Sequence, residues 1–238
     1  MKAVIDIVLL IIIALCTWNG YKRGLVGGFA GILAIIVALL GGSLLSSAYS
    51  QEVVPALEPF VDGYVDSQKN RQLILDNMGY GDSDLSLADI LEQDSSLKYD
   101  YAYEAMLSVG VYSGQAVKLA DKAVTRSNEL ELTMPEAVIS IICETATYVI
   151  GLALAFLLIL IFLVAVANFG NLSLRLPGME NLDELGGCVI GFVKGFLYCI
   201  LFCWLLSFLG IIIGKTTMAH TTLGRFFLAF SWLTDALM

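Results

Sequence analysis

"GYKRGLVGG", residues 20–28, places two cations and four glycines between two long apolar runs. Lys22 and Arg23 are the only basic residues between Lys2 and Lys69. A glycine-rich loop that cradles phosphate and a tight turn at a membrane surface are both typical of such a stretch. The rest of the chain distinguishes between these two structures.

The composition indicates a membrane protein. The 238 residues are 58% hydrophobic and only 15% charged, whereas about a quarter of the residues of a soluble domain are charged. A bilayer crossing takes about 20 apolar residues, and three charge-free stretches have the necessary length: 25–48, 145–167 and 195–214. A shorter apolar stretch, 3–18, carries Asp6. We therefore expect about four transmembrane helices.

A cleaved signal peptide, with Lys2 as its basic end, is the alternative for residues 3–18. Against it, "ALC" at 14–16 is a poor cleavage site, and another apolar stretch follows almost at once. Cys16 also lacks the small preceding residue that lipid attachment requires. We expect a retained first helix.

The charges are concentrated in one segment. Residues 49–137 hold 16 of the 22 acidic and 6 of the 13 basic residues, a net charge of −10, and the rest of the chain sums to +1. Within this insert, "SLAD" at 86–89 resembles a capping box that opens an amphipathic stretch. Residues 99–124 continue at helical spacing, with Gly110 and Gly114 as weak points. We expect a solvated, mainly helical insert.

A clearer capping box, "TMPE" at 133–136, predicts the start of the third membrane helix, with Thr133 and Glu136 as its two polar members. The predicted organisation is a first transmembrane hairpin at 1–48, the acidic insert at 49–137, a second hairpin at 138–214 and an amphipathic interfacial tail at 215–238. The apolar residues of the tail share one helical face, which is typical of a helix in the membrane interface; they are Leu223, Phe226, Phe227, Phe230, Leu233 and Leu237.

The basic residues predict the orientation, because short cytoplasmic loops are enriched in lysine and arginine. An outside N-terminus places four cations inside and three outside, and the tight Lys22–Arg23 pair is the strongest part of this signal. We therefore expect both termini and the acidic insert outside. The inside group is Lys22, Arg23, Arg175 and Lys194, and the outside group is Lys2, Lys215 and Arg225.

Glycines recur every four residues in two series. At this spacing they lie on one helix face and allow another backbone to approach closely, which is how helices associate in lipid. The alternative is that glycine is simply frequent in membrane helices. The first series is Gly20, Gly24 and Gly28, beside the pair Gly27 and Gly31, and the second is Gly187, Gly191 and Gly195.

The two series also resemble each other locally. "GYKRGL" at 20–25 and "GFVKGF" at 191–196 share the pattern glycine, aromatic, any residue, basic, glycine, apolar. Each precedes a charge-free stretch, so both cations would lie at the same membrane face. This similarity raises the hypothesis that the two helical hairpins are related as repeats.

Phosphate binding has little support. "GIIIGKT" at 210–216 has three residues between its glycines where a P-loop needs four, and it follows a membrane stretch rather than a strand. A helix end with a snorkelling Lys215 is the better interpretation. Residues 20–28 likewise follow no soluble strand, so we expect a membrane-surface turn there.

Ionisable residues near membrane stretches are functional candidates. Asp6 and Glu144 would lie near the outer ends of the first and third helices, with Lys215 and His220 beyond the same end of the fourth. A proton or ion path is one interpretation, and interfacial hydration, which we favour, is the other.

Nothing in the sequence argues for catalysis. Cys199 and Cys203 share a helix face, but no further ligand completes a metal set, so we expect them to pack. The chain has one histidine and no motif that pairs a nucleophile with a base. We expect no enzyme activity, cofactor or metal.

Two motifs in order carry a family resemblance: Asp6 followed by "GYKRGL", and "LDELGGCVIGFVKGFLYCILF" at 182–202. Together they resemble the bacterial CvpA (colicin V production) family of four-helix membrane proteins, over roughly 1–48 and 140–210. The long insert at 49–137 departs from the compact members. The resemblance implies an inner-membrane protein linked to toxin (bacteriocin) production or export and to envelope integrity, with no established catalytic residues.

The leading hypothesis is thus a non-enzymatic, all-α polytopic membrane protein that acts through partners. The expected partners are the lipid bilayer, other membrane or envelope proteins and a second copy of the chain, and we expect no nucleic acid. The alternative is a small oligomeric transporter or channel, which polar residues inside the spans would favour. The few candidates are Ser43, Thr147 and Ser207.

Overall fold

The computed structural model describes residues 2–81, 87–93, 95–169, 180–208 and 221–230. Within these ranges the chain is helical and contains no strand. The helices are α1 (Lys2–Val65), α2 (Gln68–Asn77), α3 (Leu87–Gln93), α4 (Ser95–Ser108), α5 (Ser113–Leu130), α6 (Met134–Phe169), α7 (Glu180–Leu206) and α8 (Thr222–Leu228).

Three of the described helices are long and apolar enough to cross a membrane, over Ala3–Ser50, Met134–Ala167 and Leu182–Leu206. They also expose large apolar side chains that water would not favour, such as Leu44 and Leu158, which are 72% and 69% exposed. The prediction of helical structure with several helices apolar enough to cross a membrane is confirmed in the described ranges.

The helix bounds differ from the predicted stretches in two places. The first two stretches lie in one helix, α1, which is broken at Gly24 and then continues to Val65, well inside the predicted insert. The fourth helix, α7, begins 15 residues before the predicted start at Gly195. The N-terminal turns of α7 carry charges, so hydropathy alone placed the start too late. Residues 209–214 of the predicted stretch lie outside the described residues.

The chain forms two compact units, and the division falls within α1 and within α6. The first unit comprises Met1–Ala48, Ile150–Leu206 and Thr217–Met238. The second comprises Tyr49–Val149 and Ser207–Thr216.

The core of the second unit includes a close contact between α4 and α5. Ala105 of α4 and Ala120 of α5 are fully buried, and side chains this small let the two backbones approach closely. Gly110 adopts a positive φ of 84° in the connection between the helices, a conformation that glycine adopts without steric cost. The predicted helical stretch over 99–124 is therefore two helices, and the interruption includes Gly110, one of its two predicted weak points.

The capping box at the start of α6 is confirmed. The backbone N–H of Thr133 donates to Glu136 Oε2 at 3.0 Å, and the Thr133 hydroxyl donates to the same oxygen at 2.7 Å. Ser86, the first residue of the other capping motif, lies outside the described residues. The amphipathic stretch that follows it is confirmed, because its three apolar members are buried: Leu87, Ile90 and Leu91.

One buried tyrosine of the second unit has a strongly shifted pKa. Burial, together with the nearby carboxylate of Asp66, raises the pKa of Tyr101 to about 12. The phenol is only 4% exposed, so it stays neutral at physiological pH and belongs to the core rather than to an acid–base site.

Candidate functional site: the helix break at Gly24

The break in α1 lies inside the opening motif. Gly24 has φ 74° and ψ 179°, a backbone conformation that is essentially confined to glycine. We call residues 3–23 the first arm of α1 and residues 25–48 the second arm. Because Gly24 is not helical, Gly20, Gly24 and Gly28 do not form one continuous helix face, and this part of the prediction is corrected.

Both arms contact the same stretch of α7. A Cβ on Gly195 would lie 3.0 Å from the Cα of Ile13 in the first arm, and a Cβ on Gly31 in the second arm would lie 2.8 Å from Lys194 Nζ. Ile13 and Gly31 would be about 27 Å apart in a straight helix. Since they meet adjacent residues of α7, the two arms run side by side from Gly24.

The first arm meets α7 through backbone. A Cβ on Gly20 would lie 2.6 Å from the Cα of Gly191, and one on Gly187 would lie 2.9 Å from the Cα of Gly24. Both distances are shorter than real Cβ contacts, so these positions have no room for a side chain. Gly28 instead faces the side chain of Ile190, with Cγ2 at 2.8 Å. That these glycines hold the helices together in the membrane stays a prediction.

The two similar hexapeptides adopt different conformations. "GYKRGL" breaks at its second glycine, Gly24, whereas "GFVKGF" stays helical through its second glycine, Gly195. The sequence similarity is therefore not matched by a local structural similarity. Local sequence did not reveal this difference, because both segments have the same glycine spacing.

Asp183 caps the start of the second arm, directly after the break. Its carboxylate is 4% exposed, and Oδ1 accepts a hydrogen bond at 2.8 Å from the backbone N–H of Leu25, the first residue of the second arm. The first N–H groups of a helix lack partners within the helix, and the helix dipole favours an anion there. A second link joins the same elements, because the Tyr21 hydroxyl donates to Glu184 Oε2 at 2.9 Å.

Sequence reasoning missed the role of Asp183, although the residue lies in the quoted motif "LDELGG". An acidic residue before a glycine pair was the only local signal. Its partner is 158 positions away in the chain, so only the tertiary structure reveals the contact.

The structure describes three of the four basic residues that were predicted to lie on the cytoplasmic side. Lys22 Nζ lies 5.1 Å from the centroid of the Trp18 ring, and Lys194 Nζ lies 5.7 Å from that of Tyr198. Arg23 is exposed. Arg175 lies outside the described residues.

Asp6 has partners within the protein. Its Oδ1 accepts a hydrogen bond at 3.1 Å from the backbone N–H of Leu223, in the first turn of α8. Phe227 of the same helix and Phe230, just beyond its end, pack on Phe196 of α7, with ring centroids 5.1 Å and 5.3 Å from that of Phe196. Asp6 therefore helps to hold α8 rather than being only hydrated at the interface, as we expected.

Glu144 also has a partner. It forms an ion pair with Arg126 of α5, at 2.7 Å, and the same Arg126 nitrogen donates to the Ser140 hydroxyl at 2.9 Å. The Glu144 side chain is 50% exposed, so hydration remains part of its environment. Sequence reasoning missed Arg126, whose partner lies on another helix. Lys215 and His220 lie outside the described residues.

Cys199 and Cys203 are fully buried and free, as packing residues would be. Cys199 Sγ lies 3.5 Å from the carbonyl oxygen of Leu9, so it contacts the first arm. No group of histidine, cysteine, aspartate or glutamate side chains in the described ranges is arranged to hold a metal ion.

The second unit contains a cavity of about 230 Å³. Its walls are mainly aliphatic and aromatic, and such walls offer dispersion contacts and few hydrogen bonds. The cavity therefore suits an apolar group better than a polar one. Lining residues include Phe60, Tyr64, Val109, Leu119, Ile142 and Phe208.

Comparison with known proteins points to one family. No curated protein and no solved structure matches the chain. The family described as Colicin V production protein matches residues 5–78. The matched residues contain both arms of α1 and the break at Gly24, so the match supports the CvpA (colicin V production) family for this chain.

Proposed function

We propose that this chain is a non-enzymatic integral membrane protein of the CvpA type, which supports colicin V (bacteriocin) production or export and envelope homeostasis through partners. The observation that carries the proposal is the Colicin V production match over residues 5–78, which includes the helix break and its cations. The apolar, largely exposed surfaces of α1, α6 and α7 agree with a protein that works within the bilayer.

The chain crosses the inner membrane four times in this proposal. The apolar part of α1, Ala3–Ser50, has 48 residues, about twice the number that one crossing needs. Its two arms run side by side along α7, which supports one crossing for each arm. The helices α6 and α7 provide the other two crossings.

The acidic insert at 49–137 is the partner-facing part of the protein. Its net charge of −10 would repel anionic headgroups, so the insert gains nothing from the lipid surface. It would instead favour a cationic envelope protein. Because salt screens exposed charges, we expect the association to weaken as the ionic strength rises.

The orientation gives a direct prediction. With Lys22 and Arg23 on the cytoplasmic side, residues 49–137 lie on the extracytoplasmic side. A single cysteine at the exposed position Lys69, in a variant without the five native cysteines, should react with an impermeant maleimide in intact cells. A cysteine at Lys22 should react only after lysis. The reverse labelling pattern would contradict this orientation.

The function itself is tested in the host bacterium. Deletion of the gene, in cells that carry a colicin V-type bacteriocin operon, should reduce secreted bacteriocin several-fold and increase sensitivity to detergent. The wild-type gene should restore both properties. Normal secretion and an intact envelope in the deletion strain would contradict the proposal, and solute flux through the purified protein in liposomes would favour the transporter alternative.

A further inference from the structure

Two cationic residues approach glycines on successive turns of the second arm. The Arg23 side chain begins beside Gly27, with its Cβ 3.0 Å from where a Gly27 Cβ would be. Lys194 of α7 reaches Gly31, and its Nζ lies 2.8 Å from where a Gly31 Cβ would be. Gly27 and Gly31 are one helical turn apart, so a single small anion beside this face of the second arm would be within reach of both cationic side chains.

The described part of the chain places no carboxylate in an ion pair with either cation, Arg23 or Lys194. The two nearest acids of the motif have other partners: Asp183 accepts from the Leu25 N–H, and Glu184 accepts from the Tyr21 hydroxyl. An anion that both cations can reach would therefore gain a favourable Coulomb interaction with each of them.

Aromatic side chains place the two cations at the depth of lipid headgroups. Trp18 and Tyr21 of the first arm are 61% and 42% exposed, and exposed tryptophan and tyrosine are typical of the membrane–water interface. Gly191 contacts Thr17, beside Trp18, and Lys194 follows one turn later on α7. No charged residue occurs between Lys194 and the end of α7 at Leu206, so the hydrocarbon-facing part of α7 begins there.

We propose that Arg23 and Lys194 bind the phosphate of an anionic membrane phospholipid beside Gly27 and Gly31, where the second arm adds no side chain of its own that would crowd the headgroup. A phosphate oxygen accepts hydrogen bonds from both the guanidinium and the ammonium group. The acyl chains would then lie along the exposed apolar side chains of the second arm, such as Phe29 and Leu33, which are 54% and 61% exposed.

The test uses the full-length chain, purified in a neutral detergent. Phosphatidylglycerol and phosphatidylcholine are added in equal amounts, and native mass spectrometry counts the lipids that each protein retains. We expect the wild-type protein to retain phosphatidylglycerol preferentially. Arg23→Gln and Lys194→Gln should each weaken that retention about fivefold, the contribution of one basic residue near an anionic lipid surface.

Matched variants separate this site from general attraction of anions. Lys194→Arg keeps the charge and should retain the lipid, and Arg225→Gln removes an exposed cation of α8 and should change little. Unchanged helical circular dichroism shows that the variants are folded. Equal retention of the two lipids, or an equal loss in Arg225→Gln, would overturn the proposal. Stabilisation by inorganic phosphate alone, without a lipid effect, would instead indicate a free-anion site.

Discussion

Replacement of Gly191 by leucine is expected to remove nearly all of the protein from the membrane fraction. Gly191 lies against backbone on its partner, and even a Cβ would be only 2.5 Å from the carbonyl oxygen of Cys16 and 3.0 Å from the Cα of Gly20. Overpacking commonly costs about 1–3 kcal/mol, and a backbone obstacle cannot move aside as a side chain does. Leucine would therefore force α7 away from the first arm.

The measurement is the amount of protein in membranes, by immunoblot, together with its melting temperature in detergent. Gly63→Leu is the matched control, because Gly63 also lies in α1 but no atom lies within 4 Å of its Cβ position. The control should accumulate normally, and Gly191→Ala should be intermediate. Normal accumulation of Gly191→Leu would show that this face of α7 does not support the bundle.

The second large effect is expected for Asp183→Ala. The substitution removes the acceptor of the Leu25 N–H at the start of the second arm and leaves a buried donor without a partner, which costs about 1–3 kcal/mol. The break at Gly24 would then be held less firmly. Asp183→Asn keeps an acceptor oxygen of the same reach, so it should recover most of the lost stability.

Thermal unfolding in detergent distinguishes these variants, and limited proteolysis reports locally on the break, where Asp183→Ala should expose the Arg23–Gly24 bond to trypsin. Glu184→Ala, which removes the bond from the exposed Tyr21 hydroxyl, should have a small effect because a solvent-exposed hydrogen bond contributes little. If Asp183→Ala melts like the wild type while Glu184→Ala does not, Glu184 rather than Asp183 stabilises the break.

Composition and local sequence patterns were sufficient to predict several features of the chain. Hydropathy and charge indicate an all-helical membrane protein, because burial in lipid requires long apolar runs whose backbone is satisfied internally. The motifs "GYKRGL" and "LDELGG" carried the family resemblance, which the match over residues 5–78 supports. Local patterns were also sufficient for the capping box at Thr133, since both of its members lie within one turn.

Features that depend on contacts between distant parts of the chain could not be predicted from local sequence. Gly24 and Gly195 occupy the same place in the two similar hexapeptides, yet Gly24 breaks its helix and Gly195 is helical. The difference arises where the chain meets α7, because Asp183 caps a new helix start at Leu25. The late predicted start of α7 has another cause, because the charged residues of its N-terminal turns lower the hydropathy there.

The sequence by itself determined the helical character of the chain, its long apolar stretches and the concentration of acidic residues at 49–137, because these follow from composition and from contacts within a few residues. The tertiary structure alone decided which glycine forms the break and which acids have protein partners. Asp6 meets Leu223, Glu144 meets Arg126, and Lys194 meets Gly31. The last of these pairs is separated by 163 positions in the chain. Spacing in sequence carries no information about such pairs, since their distance depends on how whole helices pack.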